Sequence, residues 1–293
     1  MINIFYTENW NEYELLDVSS GERLERWNDY IIIRPDPQII WQNNQKNKLW
    51  QNPDCKYIRN NKGGGNWEFY KKIPEHWQIK YNNLKFKIKL TGFKHLGLFP
   101  EQATNWDWIN EKIKNSQRTI KVLNLFAYTG AASLVAAAAN AEVIHIDSSK
   151  GAVQWAKENM YLSGLQNKKI RFIVDDVIKF VKREIRRGNK YDGIILDPPV
   201  FGRGPKGEVW KLEKELFNLL EMLYMLLSND PLFFLINIYT SGISAISLFN
   251  TLQLTINKKN NCKIIIGEVC LKTKTQGLLL PCGIVGRCEY GEY

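Results

Sequence analysis

Three aspartates in this chain each close an apolar run, and a lone glycine follows a fourth run. Asp147 ends Val143 to Ile146, Asp176 follows Lys169 to Val174, Asp197 follows Tyr191 to Leu196, and Gly130 comes just after Ile120 to Phe126. A carboxylate at the carboxyl end of a buried strand is placed to accept hydrogen bonds from the hydroxyls of a ribose. Asp197 is followed by Pro198 and Pro199. Neither proline has an N–H and both have φ pinned, so the carbonyls there are held rigidly. Together with the Asp197 carboxylate they form a set of acceptors without backbone donors. Such a set suits an exocyclic amine, which donates two hydrogens while its nitrogen faces an electrophile.

The elements that must position these groups are legible around them. Ile120 to Phe126 reads as a buried strand and Tyr128-Thr129-Gly130 as a tight turn. Ala131 to Ala139 is a strong helix former. Val143 to Asp147 is the next strand. A strand–turn–helix–strand unit with an acid at its tip lays a nucleoside across the strand ends. A dinucleotide site wants three glycines to bring backbone N–H groups to a pyrophosphate; Tyr128 to Ser133 offers one. A cofactor without phosphates, such as S-adenosylmethionine, needs only one close approach. The competing reading of this unit is a parallel α/β domain whose strand happens to end in aspartate.

The same alternation continues. Helices are predicted over Asn105 to Ile113, Gly151 to Leu162, Asp176 to about Arg187, Glu208 to Leu227 and Ile243 to Leu254, with strands at Lys169 to Val174, Tyr191 to Leu196, Leu232 to Tyr239, Cys262 to Cys270 and Leu278 to Cys288. Seven strands result, mostly parallel because helices connect them, with an antiparallel member where the last two strands lack a helix between them. Residues 1–91 differ. Short strands are broken by turns at Ser19-Ser20-Gly21 and Arg34-Pro35-Asp36-Pro37, and Trp10, Trp27, Trp41, Trp50, Trp67 and Trp77 are concentrated there. Large rings fill a thin core, and one or two exposed rings would suffice to stack on bases. His76 to Leu90 reads as a hairpin about Asn82-Asn83, with Lys85, Lys87 and Lys89 on one face. The expectation is a small β-rich domain over 1–91 and a larger α/β domain over 92–293.

Composition narrows the partners. Forty Lys and Arg against thirty Asp and Glu give a formal charge of +10 in 293 residues, which favours a polyanion, most simply nucleic acid. Drift of the composition toward Lys and Asn would give the same sign. Five cysteines without a C-x-x-C pair read as reduced thiols in a cytoplasmic protein, with no disulfide frame and no metal site. No apolar run approaches the roughly 20 residues that cross a bilayer, and no signal peptide is evident at the start.

Val122-Leu-Asn-Leu-Phe-Ala-Tyr-Thr-Gly-Ala131, His145-Ile-Asp-Ser-Ser-Lys150, Asp176 before Phe180, and Asp197-Pro-Pro-Val-Phe201 resemble a class I, Rossmann-like S-adenosylmethionine-dependent methyltransferase, of the bacterial family related to the large-subunit rRNA methyltransferases. Gly97-Leu-Phe-Pro-Glu-Gln102 resembles that family's lead-in to the cofactor site. The resemblance covers about residues 91–290. It implies that Asn124, Phe126, Tyr128 and Gly130 line the methionine half of the cofactor and that Asp147 takes the ribose hydroxyls. Ser148 would lie beside the adenine, Asp176 would bond its amine, and Phe99 and Gln102 would close over it. Asp197, with Pro198 and Pro199, would face the methyl acceptor. One departure bears on mechanism. Relatives that methylate cytosine C5 add a cysteine thiolate to the ring, and in the rRNA relatives that cysteine follows the fifth strand. Here Ile238-Tyr239-Thr240-Ser241 stands there, and Val200 follows Pro199. A nitrogen or oxygen acceptor is implied.

The glycine-rich stretch Gly202-Arg203-Gly204-Pro205-Lys206-Gly207 directly follows Asp-Pro-Pro-Val-Phe. It reads as a mobile cationic lid beside the acceptor, with Phe201, Arg203 and Lys206 as substrate contacts, or as a plain solvent loop before a helix. The sequence thus points to methylation of RNA, most simply rRNA. Two alternatives stand beside it: methylation of a protein or small molecule, and a non-catalytic RNA-binding assembly factor on the same fold.

Overall fold

A computed structural model describes residues 2–8, 10–43, 47–60, 64–203, 209–239, 242–258 and 262–291, with the backbone alone at Arg203. The chain divides into two compact units. One comprises the described residues of 1–5, 104–269 and 282–293, the other those of 6–103 and 270–281.

In chain order the first element is β1 (Asn3–Phe5), followed by the strands of the smaller unit: β2 (Tyr13–Ser19), β3 (Glu22–Trp27), β4 (Tyr30–Pro35), β5 (Cys55–Arg59), β6 (Gly65–Phe69), β7 (Trp77–Tyr81) and β8 (Leu84–Ile88). Strands β2 to β6 form a five-stranded sheet in sequence order, and β7 and β8 pair as a separate hairpin. The turn residues fit their backbone. Ser20-Gly21, Asn28 and Asn82 carry positive φ at the tight reversals, where glycine and asparagine are tolerated. Trp10, Trp27 and Trp77 are buried, and Trp41, Trp50 and Trp67 are half-buried, so these rings fill the core. Arg34 donates from Nε and Nη2 to the two oxygens of Glu25 at 2.6 and 2.7 Å, and the Tyr13 hydroxyl donates to the same carboxylate at 2.8 Å. Residues beyond 91 are tied into this unit. The Arg34 guanidinium donates to the Lys94 carbonyl, the Lys89 N–H to that of Leu96, and the Trp67 indole to that of Thr91. The smaller unit runs to Ala103, beyond residue 91, and these bonds hold its segment from Thr91 to Leu96.

The larger unit holds α1 (Ala103–Asn115, from its second residue on), β9 (Lys121–Leu125), α2 (Ala131–Ala138), β10 (Glu142–Asp147), α3 (Lys150–Leu162), β11 (Ile170–Val174), α4 (Val177–Arg186), β12 (Gly193–Leu196), β13 (Phe201–Arg203), β14 (Val209–Lys211), α5 (Leu212–Tyr224), β15 (Phe233–Ile238) and α6 (Ala245–Thr255). Two long strands close the chain, β16 (Lys263–Lys272) and β17 (Leu279–Glu289), each with a few residues in the smaller unit. The main sheet has the order β1-β16-β17-β15-β12-β9-β10-β11. Strands β9 to β12 and β15 are parallel, and β17 is antiparallel to β15. The seven expected strands are joined by an eighth, β1, which pairs parallel with β16. Three residues carry no periodicity of their own, and only that distant partner makes them a strand.

One face of the sheet is sealed by the leucine stripe of α5. Leu216, Leu219, Leu220 and Leu223 pack with Leu123, Leu125, Ile194, Leu196, Phe234 and Ile236. Helix α5 begins at Leu212 and not at Glu208 as its sequence suggests. Val209–Lys211 instead pair antiparallel with Phe201–Arg203, so their backbone groups are spent on a hairpin. Along the sheet the chain lays β9, β10 and β11 outward on one side, then returns to place β12 and β15 on the other. The strand order therefore reverses between β9 and β12, and the crevice beyond their carboxyl ends is where ligands bind in such sheets.

Candidate active site

The segment leaving β9 has an unusual backbone. Phe126, Tyr128 and Gly130 have φ of 53°, 49° and 89°. For the two aromatic residues the left-handed region costs roughly 1–2 kcal/mol each, and it persists because neighbours fix three of the amides from Ala127 to Gly130. The Ala127 N–H donates to the Ile146 carbonyl at 3.0 Å, the Tyr128 N–H to Asp147 Oδ2 at 2.9 Å, and the Gly130 N–H to the Ala127 carbonyl at 3.0 Å. From α3, Asn159 Nδ2 donates to the Thr129 carbonyl at 2.9 Å. Strain of this kind clusters at turns that hold ligands. Gly130 is required twice, by its φ and because a Cβ there would come within 2.9 Å of the Ala156 Cβ.

Asp147 is clamped on the opposite wall. Its second oxygen accepts the Ser149 N–H at 2.8 Å, and its own carbonyl accepts the Asp175 N–H at 3.1 Å. Burial pushes the Asp147 carboxyl above its ordinary value, against the two backbone donors that pull it down. A carboxylate offers about four lone-pair sites; two are taken, and the rest can receive a pair of hydroxyls. The turn and the acid thus fit a nucleoside cofactor of the kind the sequence suggests.

Ser148 is exposed beside Asp147. Asp176 is the N-cap of α4, accepting the Lys179 N–H at 2.9 Å through Oδ1, which leaves Oδ2 to offer. Asn124 is not at the open end. It is buried, and its Nδ2 donates to Ser133 Oγ at 2.9 Å, which lies 3.0 Å from His145 Nδ1. Burial pushes His145 down to about 3, so the imidazole is neutral and this chain is a support beneath the turn. Phe99 and Gln102 belong to the smaller unit. There Phe99 tilts against His95 at 5.2 Å, and the Gln102 N–H donates to the Phe99 carbonyl at 3.0 Å.

Asp197 leaves β12 beside Leu125 of β9, its N–H pointing at that carbonyl at 3.5 Å. Pro198 is buried and Pro199 exposed. One carbonyl of the acceptor set is already engaged, because Trp210 Nε1 donates to Pro199 O at 2.6 Å. The Trp210 ring also tilts against Phe126 at 5.3 Å. Trp210 therefore ties the Asp-Pro-Pro turn to the β9 turn, and sequence reasoning missed it by reading its neighbourhood as helix. Phe201 is about half exposed on β13. Arg203 contributes backbone to β13, and Lys206 lies outside the described residues. Sequence reasoning also passed over Asn237, which follows Ile236, the register partner of Leu196, and whose buried amide has no hydrogen-bond partner among the described residues. Among the described residues no group of His, Cys, Asp and Glu could hold a metal ion, and no helix is long and apolar enough to cross a membrane. All five cysteines are free thiols.

The family model of S-adenosylmethionine-dependent methyltransferases matches residues 56–242. A ribosomal RNA large subunit methyltransferase K/L of Shewanella frigidimarina is 31% identical over an alignment of 262 residues that covers 79% of this chain and 36% of that protein. The chain thus spans about a third of the length of this relative. The crystal structure of a SAM-dependent methyltransferase from Agrobacterium tumefaciens superposes with a TM-score of 0.94 at 37% identity, covering 98% of this chain and 93% of that one. A methyltransferase complexed with SAH shares the fold at a TM-score of 0.73 and 18% identity, over 96% of this chain and 76% of the other.

Proposed function

The chain belongs to the S-adenosylmethionine-dependent methyltransferase family, and from that premise we propose that it methylates a nitrogen or oxygen of RNA, most simply ribosomal RNA. The observation that carries the reading is the pairing of two strand ends across the reversal of strand order. Asp147, held by the Tyr128 and Ser149 N–H groups, stands on one side, and Asp197-Pro198-Pro199 on the other. Bound there, S-adenosylmethionine supplies a methyl group on a sulfonium, which needs an aligned nucleophile and little else. Asp147 holds the ribose, Gly130 lets the backbone close on the methionine half, and Asp176 offers Oδ2 to the adenine amine. Asp197 and the Pro198 carbonyl orient the acceptor by accepting its hydrogens. Trp210 and Phe126 exclude water from the approach, and alignment with dehydration supplies most of the rate. Phe201, Arg203 and Lys206 are assigned to the RNA.

RNA is supported by the +10 charge and by the substrate named for the Shewanella relative. A non-C5 acceptor is supported by the absence of cysteine after Pro199 and from Ile238 to Ser241. The test is mass analysis of rRNA nucleosides from a strain lacking the gene, with the purified protein and S-adenosylmethionine added back. One methylated nucleoside should vanish and return. An unchanged nucleoside profile would remove RNA as substrate and leave a protein or a small molecule.

A further inference from the structure

We propose that a basic groove at the opposite end of the main sheet grips the phosphate backbone of the substrate RNA away from the methyl-transfer crevice, an inference that rests on the RNA reading above. The groove has a volume of about 580 Å³. Its floor is the amino ends of β9, β10 and β11, and one wall is the Gly188-Asn189-Lys190 connection that follows α4. Parallel strands start at one edge and end at the other. At about 3.3 Å per residue, five- or six-residue strands put the groove about 15 Å or more from the Asp147 and Asp197 ends.

The lining is one-sided in charge. Lys121, Lys169, Arg171 and Lys190 face a single carboxylate, Glu142. Glu142 is taken by Lys169 at 2.5 Å, a bond that holds its carboxyl below the usual range. Lys190 Nζ spends one donor on the Met225 carbonyl at 2.7 Å and keeps two more. The Lys121 ammonium is drawn to Glu142 at longer range, but neither it nor the Arg171 guanidinium forms a salt bridge or side-chain hydrogen bond among the described residues. The carbonyls at the end of α4, which would repel an anion, are closed by the Arg187, Gly188 and Asn189 N–H groups. Strand register sets Lys121 next to Glu142, and Arg171 next to Ile144. Lys121 and Arg171 thus share the α4 side of the sheet, with the Ile144 side chain between them. A solvated basic face needs no concavity. Cations converging on an apolar-floored groove suit a polymer whose phosphates recur along its length, and such contacts fix register without reading sequence.

The test uses the full chain and a fluorescein-labelled 30-nucleotide RNA stem-loop, with binding followed by anisotropy from low to moderate salt. The Lys121→Gln/Arg171→Gln/Lys190→Gln variant should bind about tenfold more weakly, with a log K against log salt slope shallower by about two to three. Its S-adenosylmethionine affinity, measured by calorimetry, should equal that of the wild type. If the wild type binds RNA and the variant keeps both affinity and slope, the groove is not an RNA contact and the RNA reading stands. If the wild type binds no RNA, the RNA reading fails and the groove falls with it. Should the triple variant fold poorly, Arg171→Glu alone, at an exposed position, must weaken binding for the proposal to survive.

Discussion

At the scale of single residues, Asp147 combines two demands that pull against each other. The ribose role proposed for it calls for a charged acceptor, yet burial favours its protonated form. A carboxyl whose pKa is raised loses its charge at a pH above the ordinary aspartate value of about 3.9. Cofactor affinity should therefore decline on the acid side earlier than for an exposed carboxylate. Asp147→Asn should bind S-adenosylmethionine more weakly by about 1–3 kcal/mol at neutral pH, through unpaired buried groups, and should lose that acid limb. Calorimetric titrations of both proteins across the acid range test this; parallel curves would remove Asp147 from the ribose. Cysteine supplies a second residue-scale prediction. With Cys55, Cys262, Cys270 and Cys288 buried and Cys282 half-buried, none presents an exposed thiol. A folded protein with all five changed to serine or alanine should retain methyl transfer, and loss traced to one of them, with cofactor still bound, would restore a covalent mechanism.

At the scale of elements, much of the larger unit was legible because its signals are local. The run Ile120 to Phe126, the alanine-rich α2 and the leucine spacing of α5 each declare a period within about a dozen residues. That the turn after β9 meets Asp147, through the Tyr128 N–H, followed from their order along the chain. What could not be read depends on distant partners. Val209-Trp210-Lys211 looks like the first turn of a helix until Phe201–Arg203 is there to pair with it, and β1 exists only against β16. Asn124 was placed at the cofactor because it lies in the right segment; that it turns inward to Ser133 is a matter of strand parity and helix packing. The β13–β14 hairpin carries the element-scale prediction. Trp210→Phe keeps most of the ring against Phe126 and removes the donor to the Pro199 carbonyl. It should cost about 1 kcal/mol of stability and slow methyl transfer by loosening the Asp-Pro-Pro turn, while S-adenosylmethionine affinity holds. Single-turnover kinetics with unchanged rate would show that the hairpin does not position the acceptor.

At the scale of the whole molecule, the smaller unit raises a question of stability. A unit of about a hundred residues buries a modest fraction of its surface, yet this one places Arg23, Glu25 and Arg34 in its interior. Burial alone would raise the Glu25 carboxyl, but the charges of Arg23 and Arg34 and the bonds from Arg34 and Tyr13 override it and hold it at about 2. The sign follows from linkage. A carboxyl depressed below its unfolded value adds stability above the unfolded pKa of about 4.3, and that contribution is lost as pH falls toward the folded value. The smaller unit should accordingly weaken between about pH 4 and pH 2. Removing the carboxylate should be worse than never having built the cluster, because Arg34 would remain buried without its carboxylate and Arg23 with Asp36 alone. Glu25→Leu should cost about 3–5 kcal/mol at neutral pH. Replacing Glu25, Arg23 and Arg34 together by apolar residues of similar volume should recover much of that loss. Denaturant unfolding of the three proteins, with tryptophan fluorescence as the probe, separates the cases: Trp10, Trp27 and Trp77 are buried in this unit and Trp106, Trp108 and Trp210 in the larger one, so a weakened smaller unit shows as an earlier transition. A Glu25→Leu protein as stable as the wild type would mean that the cluster is held by the surrounding packing and that its charges contribute nothing net.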